Sequence, residues 1–206
     1  MSYRIDGRLP NQHRHMDMSL GISDADGSAS FQLGATKVMV TATFNPETKF
    51  TLNPHNNEFI MQIESLFTPW MRNTAHIDIT ILQRDGSELA CCVNGVSLAI
   101  ADAGIIMEDL IFSMNSGIQN MHSETSTILL DPNYMEEQLG VTVTWFISNQ
   151  KILGLYVQSP VHIQSLLENM TTISAINDFD QKLRNEIKKH VSVVLKQRGC
   201  KDNMVV

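Results

Sequence analysis

The chain has 206 residues, 43% of them hydrophobic and 18% charged. That length can bury a sizeable core in one domain or two small ones, and the composition excludes a disordered tail, a collagen and a small disulfide scaffold. Lys and Arg number 15 against 22 Asp and Glu, a net charge of −7, so the chain alone should not grip nucleic acid well, although it could join a larger surface whose cations lie on neighbours.

A low charge content fits a subunit buried against partners, and equally a monomer whose surface is rich in Asn, Ser and Thr. Three cysteines are too few, and odd in number, for a disulfide framework. Cys91 and Cys92 are adjacent, a poor geometry for bridging each other, so reduced thiols in a cytosolic or nuclear protein are expected. No apolar run approaches about 18 residues, and Met1 to Pro10 lacks an apolar stretch, so neither a membrane span nor a secretory signal is expected.

Met16, Met18, Leu20 and Ile22 alternate with polar residues and predict a half-buried strand. Asp24 to Gly27 reads as a turn in which Gly27 can take positive φ. Ser28 to Leu33 and Val38 to Phe44 predict the next two strands, paired antiparallel through short turns. Asn45 to Asn57 is the densest loop. Phe59, Ile60, Ile63, Leu66 and Phe67 have helical spacing, with Asn56 or Asn57 as cap and Pro69 ending the helix near Thr68. Ile77 to Ile81 predicts a strand that stops at the Asp85-Gly86 turn.

Ser87 is then expected to cap a helix over Leu89 to Ala103, with Glu88 at its positive end. That helix is apolar almost all round and should be buried. Its small residues would let it lie close to a sheet, and Gly104 suits the left-handed position after its end. Leu110 to Ile118, Thr127 to Leu130, Val141 to Ser148 and Lys151 to Val157 predict further strands, the last two joined by a turn at Asn149-Gln150. Ser159-Pro160 opens a long C-terminal helical segment, about 160–198. Unbroken, it would run on the order of 55 Å, so a break is expected near Asn177-Asp178, and the tail from Cys200 to Val206 should fray. The order of elements predicts a single α+β domain over 1–206, with mixed or antiparallel sheets and helices packed against them.

General chemical motifs are sparse. There is no GxGxxG, GxxxxGK[ST] or HExxH. His13 and His15 could share a strand face, yet no further metal ligands are marked locally, so surface polar residues are the competing reading. Cys91 and Cys92 lie in a helix's first turn, where a thiol can be activated, but within an apolar stripe that favours packing. Asp131, Glu136 and Glu137 could do acid–base or metal work, or could form an Asp-Pro turn followed by a solvated charged loop. Trp70 and Trp145 could stack bases or fill a core.

Three stretches taken together resemble the RNase PH family. The first is Asp6-Gly7-Arg8, followed by Asp26-Gly27-Ser28-Ala29 and Gly34-Ala35-Thr36-Lys37-Val38. The second is Asp85-Gly86-Ser87, continuing through Ala90-Cys91-Cys92-Val93-Asn94 to Ala101-Asp102-Ala103-Gly104-Ile105. The third is Leu129-Leu130-Asp131-Pro132 with Glu136-Glu137, ahead of two strands and the C-terminal helices. Their order and spacing cover nearly the whole chain.

The resemblance implies an RNase PH-like fold (ribosomal protein S5 domain 2-like) and a six-membered ring around a channel for single-stranded RNA, as in the eukaryotic RNA exosome. Its implied partners are other RNase PH-like ring subunits, cap subunits, and RNA through the assembled channel, with no membrane and a homodimer possible in isolation. The implied location is nucleus, nucleolus and cytoplasm. Active relatives perform phosphorolysis, which needs arginines to hold phosphate and a carboxylate as general acid or metal ligand. In those relatives the arginines lie before and within the first helix, whereas Asn45 to Met71 here holds one cation, Lys49, besides neutral His55, and Arg72 follows the helix. The family's aspartate opens the strand after the paired glutamates, where this chain reads Gly140-Val141-Thr142-Val143. The connection from Phe44 to the first helix is also much shorter than the family's.

The expectation is therefore a non-catalytic structural ring subunit with no catalytic residues, no metal and no cofactor of its own, its RNA-touching residues unidentified. The alternatives are a phosphorolytic exoribonuclease dependent on Asp131 or Glu137, and a self-associating binding module.

Overall fold

The computed structural model describes residues 4–44, 51–52, 59–70, 75–119, 127–136, 140–148, 151–157 and 173–197. Two sheets account for every described strand. The first comprises β1 (Met16–Leu20), β2 (Gly27–Leu33), β3 (Thr36–Phe44), β4 (Thr51–Leu52) and β5 (Ala75–Gln83), in the order β1-β2-β3-β5-β4. The second comprises β6 (Ile111–Gln119), β7 (Thr127–Leu130), β8 (Gly140–Phe146) and β9 (Ile152–Val157), in the order β7-β6-β8-β9. All pairings are antiparallel except β4 with β5. Strand β4 falls inside the stretch expected to be a loop. Its two residues are too few to carry an alternating pattern, and only the edge of β5 recruits them.

Helix α1 (Ile60–Phe67) is followed by a 3-10 turn at Thr68–Trp70, as Pro69 requires. Helix α2 (Glu88–Asp102) is the centre of the molecule, with every residue from Leu89 to Ile100 buried. One side lies on β2 and β3 and the other on β6. Small residues make that approach possible: a Cβ on Gly95 would stand 2.8 Å from Val40 Cγ2. Helix α3 (Ile173–Gln197) lies against β1 and β6, inserting Phe179 between Phe31 and Phe112 at centroid distances of 6.0 and 4.5 Å.

Several local expectations change. Gly27 is not a positive-φ turn residue but the first residue of β2. It is glycine because a Cβ there would meet Ala103 N and Ala99 O at 2.3 Å. Ser87 does precede α2, but with φ 61 and no capping hydrogen bond, because its hydroxyl is drawn elsewhere. The break expected near Asn177-Asp178 does not occur. No Gly or Pro interrupts the helix there, and Phe179 and Leu183 share one buried stripe that a break would split. Ile22 lies beyond β1 and is 39% exposed. The Asn56 or Asn57 cap, the Asn149-Gln150 turn, the Ser159-Pro160 start and the C-terminal tail lie outside the described residues. No helix among the described residues is long and apolar enough to cross a membrane.

Candidate functional site

The three motif stretches converge on one buried network of arginines and carboxylates. The N-terminal segment supplies Arg4, Arg8 and Arg14. The turn before α2 supplies Asp85, Gly86 and Ser87, and the turn after β7 supplies Asp131 and Glu136. Asp131 is fully buried, and φ 50 places it in the left-handed region. Arg14 meets it with Nη2 on Oδ1 at 2.7 Å and Nε on Oδ2 at 2.9 Å, while the Arg14 backbone N–H also donates to Oδ2 at 2.9 Å. Ser87 Oγ donates to the same Oδ1 at 2.8 Å, which is why it caps nothing. Arg14 Nη1 donates to the Asp85 carbonyl at 2.5 Å, and Nη2 also donates to the Gly86 carbonyl at 3.1 Å.

A second grip runs in parallel. Arg4 donates Nε to Glu136 Oε1 at 3.0 Å and Nη2 to Oε2 at 2.5 Å, and also reaches the carbonyls of Leu130 and Asp131 at 2.6 and 2.9 Å. Arg8 spans the two, donating to Asp6 Oδ2 at 2.5 Å and lying 3.7 Å from Asp131 and 3.6 Å from Glu136. Bidentate guanidinium–carboxylate pairs of this kind fix orientation as well as charge. Burial acts to raise the pKa of the Glu136 carboxyl, but the Arg4 hydrogen bonds and the Asn133 N–H outweigh it and hold the group below the usual carboxylate range. Burial acts to lower Arg14, and contact with Asp131 reverses it, pushing the guanidinium up.

Among the described residues, the carboxylates expected in a solvated loop after Asp131 are instead buried. Asp131 is 0% and Glu136 5% exposed, and each faces an arginine rather than water or a free ligand position. Only the fold could reveal this, because the arginines lie more than a hundred residues away in sequence. Glu137 lies outside the described residues.

The other candidates disperse. His13 and His15 precede β1 rather than sharing a strand face. His13 places Nε2 3.1 Å from an acceptor oxygen of Asp178 on α3 and Nδ1 2.6 Å from the Arg14 carbonyl. Among the described residues no three His, Cys, Asp or Glu are grouped to hold a metal ion. Cys91 and Cys92 are fully buried, and burial pushes both thiols up, Cys92 to about 12, the opposite of an activated nucleophile. Trp145 is 3% exposed and stacks on Phe112, and Trp70 meets Phe146 edge-on at 5.0 Å with Lys151 over its ring. Trp145 is thus a core residue, and Trp70 is held at the core's edge by Phe146 and Lys151.

Other motif residues also hold structure. Asn94 accepts from the Ser113 N–H at 2.7 Å and donates to the Ser113 carbonyl at 2.9 Å, docking α2 on β6. Asp102 accepts from the Ser28 N–H at 2.9 Å and pairs with His190 of α3 at 3.1 Å. At the start of β8, Gly140, Val141, Thr142 and Val143 are all buried and none is ionisable. Lys49, His55 and Arg72 lie outside the described residues.

Comparison with known proteins follows the same lines. Residues 12–75 and 61–106 match the 3′ exoribonuclease family, domain 1 (RNase PH). The Arabidopsis thaliana protein "Exosome complex component RRP41 homolog" is 31% identical over 174 aligned positions, covering 66% of this chain and 70% of the relative. The Saccharomyces cerevisiae protein "Exosome complex component SKI6" is 27% identical over 236 positions, covering 92% and 93%. Aligning 92% of a 206-residue chain takes 236 positions, so the yeast protein carries internal residues that this chain lacks. Among solved structures, rice (Oryza sativa) Rrp46 superposes with a TM-score of 0.79 at 18% identity, over 90% of this chain and all of that one. A chain of an archaeal exosome core superposes with a TM-score of 0.74 at 19% identity, over 88% and 91%. The two sheets and intervening helices are thus the RNase PH-like fold.

Proposed function

Because this chain belongs to the RNase PH family of 3′ exoribonucleases, we propose that it is a non-catalytic, structural subunit of the eukaryotic exosome ring. In this role it helps to wall the RNA channel, docks the neighbouring ring and cap subunits, and leaves cleavage of RNA 3′ ends to nucleases elsewhere in the assembly. The phrases Asp6-Gly7-Arg8-Leu9-Pro10 and Leu129-Leu130-Asp131-Pro132-Asn133-Tyr134 ally it with the Rrp46 type of subunit. Nucleus, nucleolus and cytoplasm are the locations that go with this role.

One observation carries the non-catalytic reading. The start of β8, where active relatives place their acid, holds four buried residues and no ionisable group. Phosphorolysis needs a proton donor or metal ligand beside the scissile linkage, and a buried strand start without an ionisable side chain supplies no carboxylate for either role. Two further points support it. Asp131 and Glu136, the described carboxylates of the third motif stretch, are each engaged by arginine. The internal residues missing relative to the yeast protein accord with the short Phe44-to-helix connection, where active relatives carry basic loops.

The test is an assay of the purified chain with single-stranded RNA and inorganic phosphate, alongside reconstitution with the other ring subunits. Co-assembly without release of nucleoside diphosphates is the expected result. Phosphate-dependent shortening of RNA by the chain alone would replace this reading with that of an active exoribonuclease, as the family's name allows.

A further inference from the structure

Helix α3 is long but thinly anchored. Of its described side chains only Phe179 and Leu183 are buried. Beyond each end of that short apolar stripe a histidine meets a carboxylate, and the two pairs run in opposite senses. At the first, the helix supplies the carboxylate: Asp178 Oδ2 lies 3.1 Å from Nε2 of His13, in the segment before β1. At the second, the helix supplies the ring: His190 Nε2 lies 3.1 Å from Oδ1 of Asp102, at the end of α2. Asp178 and His190 are separated by about 18 Å along the helix axis.

A proton completes these contacts. Both ring nitrogens of His13 face acceptors, because Nδ1 lies 2.6 Å from the Arg14 carbonyl. A carbonyl and an ionised carboxylate can only accept. A neutral imidazole has a single N–H and turns a lone pair toward one of them, whereas the imidazolium donates to both. Asp102 is fixed to receive the other ring. Its Oδ2 accepts from the Ser28 N–H at 2.9 Å, and its side chain is 7% exposed. Gly21 leaves room for the imidazole, since a Cβ there would stand 2.3 Å from His190 Cε1. The neighbouring charges are engaged elsewhere. Arg14, beside His13, is committed to Asp131, and Glu186, one turn before His190, pairs with Lys189. Among the described residues neither Asp178 nor Asp102 is paired with a lysine or arginine.

We propose that α3 is held by a proton-dependent latch, in which His13 and His190 in their charged form draw the helix onto β1 and β6 and in their neutral form let it loosen. Histidine is the side chain that changes charge between about pH 5 and 8. The attraction exists only while the rings carry their protons, so docking tightens as pH falls through that range and slackens as it rises. Both pairs stand apart from the Arg14–Asp131 and Arg4–Glu136 contacts, so the rest of the fold keeps its own ties while α3 responds. The latch operates within one chain, whether or not that chain joins a ring.

The test is hydrogen–deuterium exchange of the full chain, followed by mass spectrometry at pH 8 and pH 5.5, with each rate divided by the intrinsic rate at that pH. Protection of α3 should be at least fivefold higher at pH 5.5, while that of α2 changes less than twofold. The double variant His13→Gln/His190→Gln should lose this rise, and each single variant should keep only part of it. His76→Gln, which removes a histidine facing Asp78 on β5, should keep all of it. Should near-UV circular dichroism show the double variant unfolded, the single variants decide by the same criterion. Equal protection of α3 at the two pH values, or a full rise in both single variants, would overturn the latch. So would a rise shared equally by α2, which would make the response global rather than a property of this helix.

Discussion

Arg14 encloses the carboxylate of Asp131 on both oxygens, through Nη2 on one and Nε and the backbone N–H on the other, in a site with no exposed surface on the aspartate. This pair joins residues 117 positions apart and fastens the N-terminal segment to the turn after β7. Removing one partner leaves a buried charge uncompensated. Asp131→Asn and Arg14→Met should each cost about 3–5 kcal/mol, read as a lower urea midpoint at an unchanged slope. The combined Arg14→Met/Asp131→Leu variant should lose less than the sum of its single changes. An Asp131→Asn protein that unfolds at the parental midpoint would show that the pair holds nothing.

The pH dependence of stability should follow Glu136. Its carboxyl is held below the usual range in the folded chain, so the unfolded chain binds the proton first as acid is added. The stabilisation is complete above the ordinary glutamate value of about 4.3 and is lost as pH falls through the lower folded value. Urea midpoints measured from pH 6 down to pH 3 should fall steeply only at the acid end. In Arg4→Gln, which removes the strongest of the influences that depress it, the acid limb should flatten.

Packing around α2 makes three separate demands. Gly27→Ala places a Cβ 2.3 Å from backbone atoms of Ala99 and Ala103, which have no side chain to move aside. Ala99→Leu overfills a fully buried position and should cost roughly 1–3 kcal/mol, with Gly27→Ala in the same range. Gly104 has open space around it but φ +68, so Gly104→Val should cost about 1 kcal/mol or more through strain alone. Thermal melts of the three variants distinguish steric from torsional cost, because Gly104→Asn should recover most of the loss and Gly27→Asn none.

The thiols offer a probe of the core. Burial raises Cys91 and Cys92 well out of the reactive range, Cys92 to about 12, so neither should be alkylated by iodoacetamide at pH 8 in the folded chain. Peptide mapping should find both modified once denaturant is added. Labelling of either in the native protein, at the rate of a free thiol, would mean that α2 is not the enclosed helix described here.

Local patterns were enough for most of the secondary structure. Period-two alternation in Met16 to Leu20 and Val38 to Phe44, and the apolar run from Leu89 to Ala103, required no knowledge of what they pack against, because backbone periodicity is a local property. The motif order likewise carried the family, since spacing along a chain survives in the sequence itself. The tertiary structure decided what the charged motif residues do. Asp131 and Glu136 have the same residue types whether solvated, catalytic or clamped, and the choice depends on Arg4 and Arg14, brought against them from the far end of the chain. The same holds for Gly27, whose neighbour is the end of α2, and for Asn177-Asp178, kept helical by the stripe of Phe179 and Leu183. Electrostatic environment and close approach are relations between distant segments, so they exist only once the chain has folded.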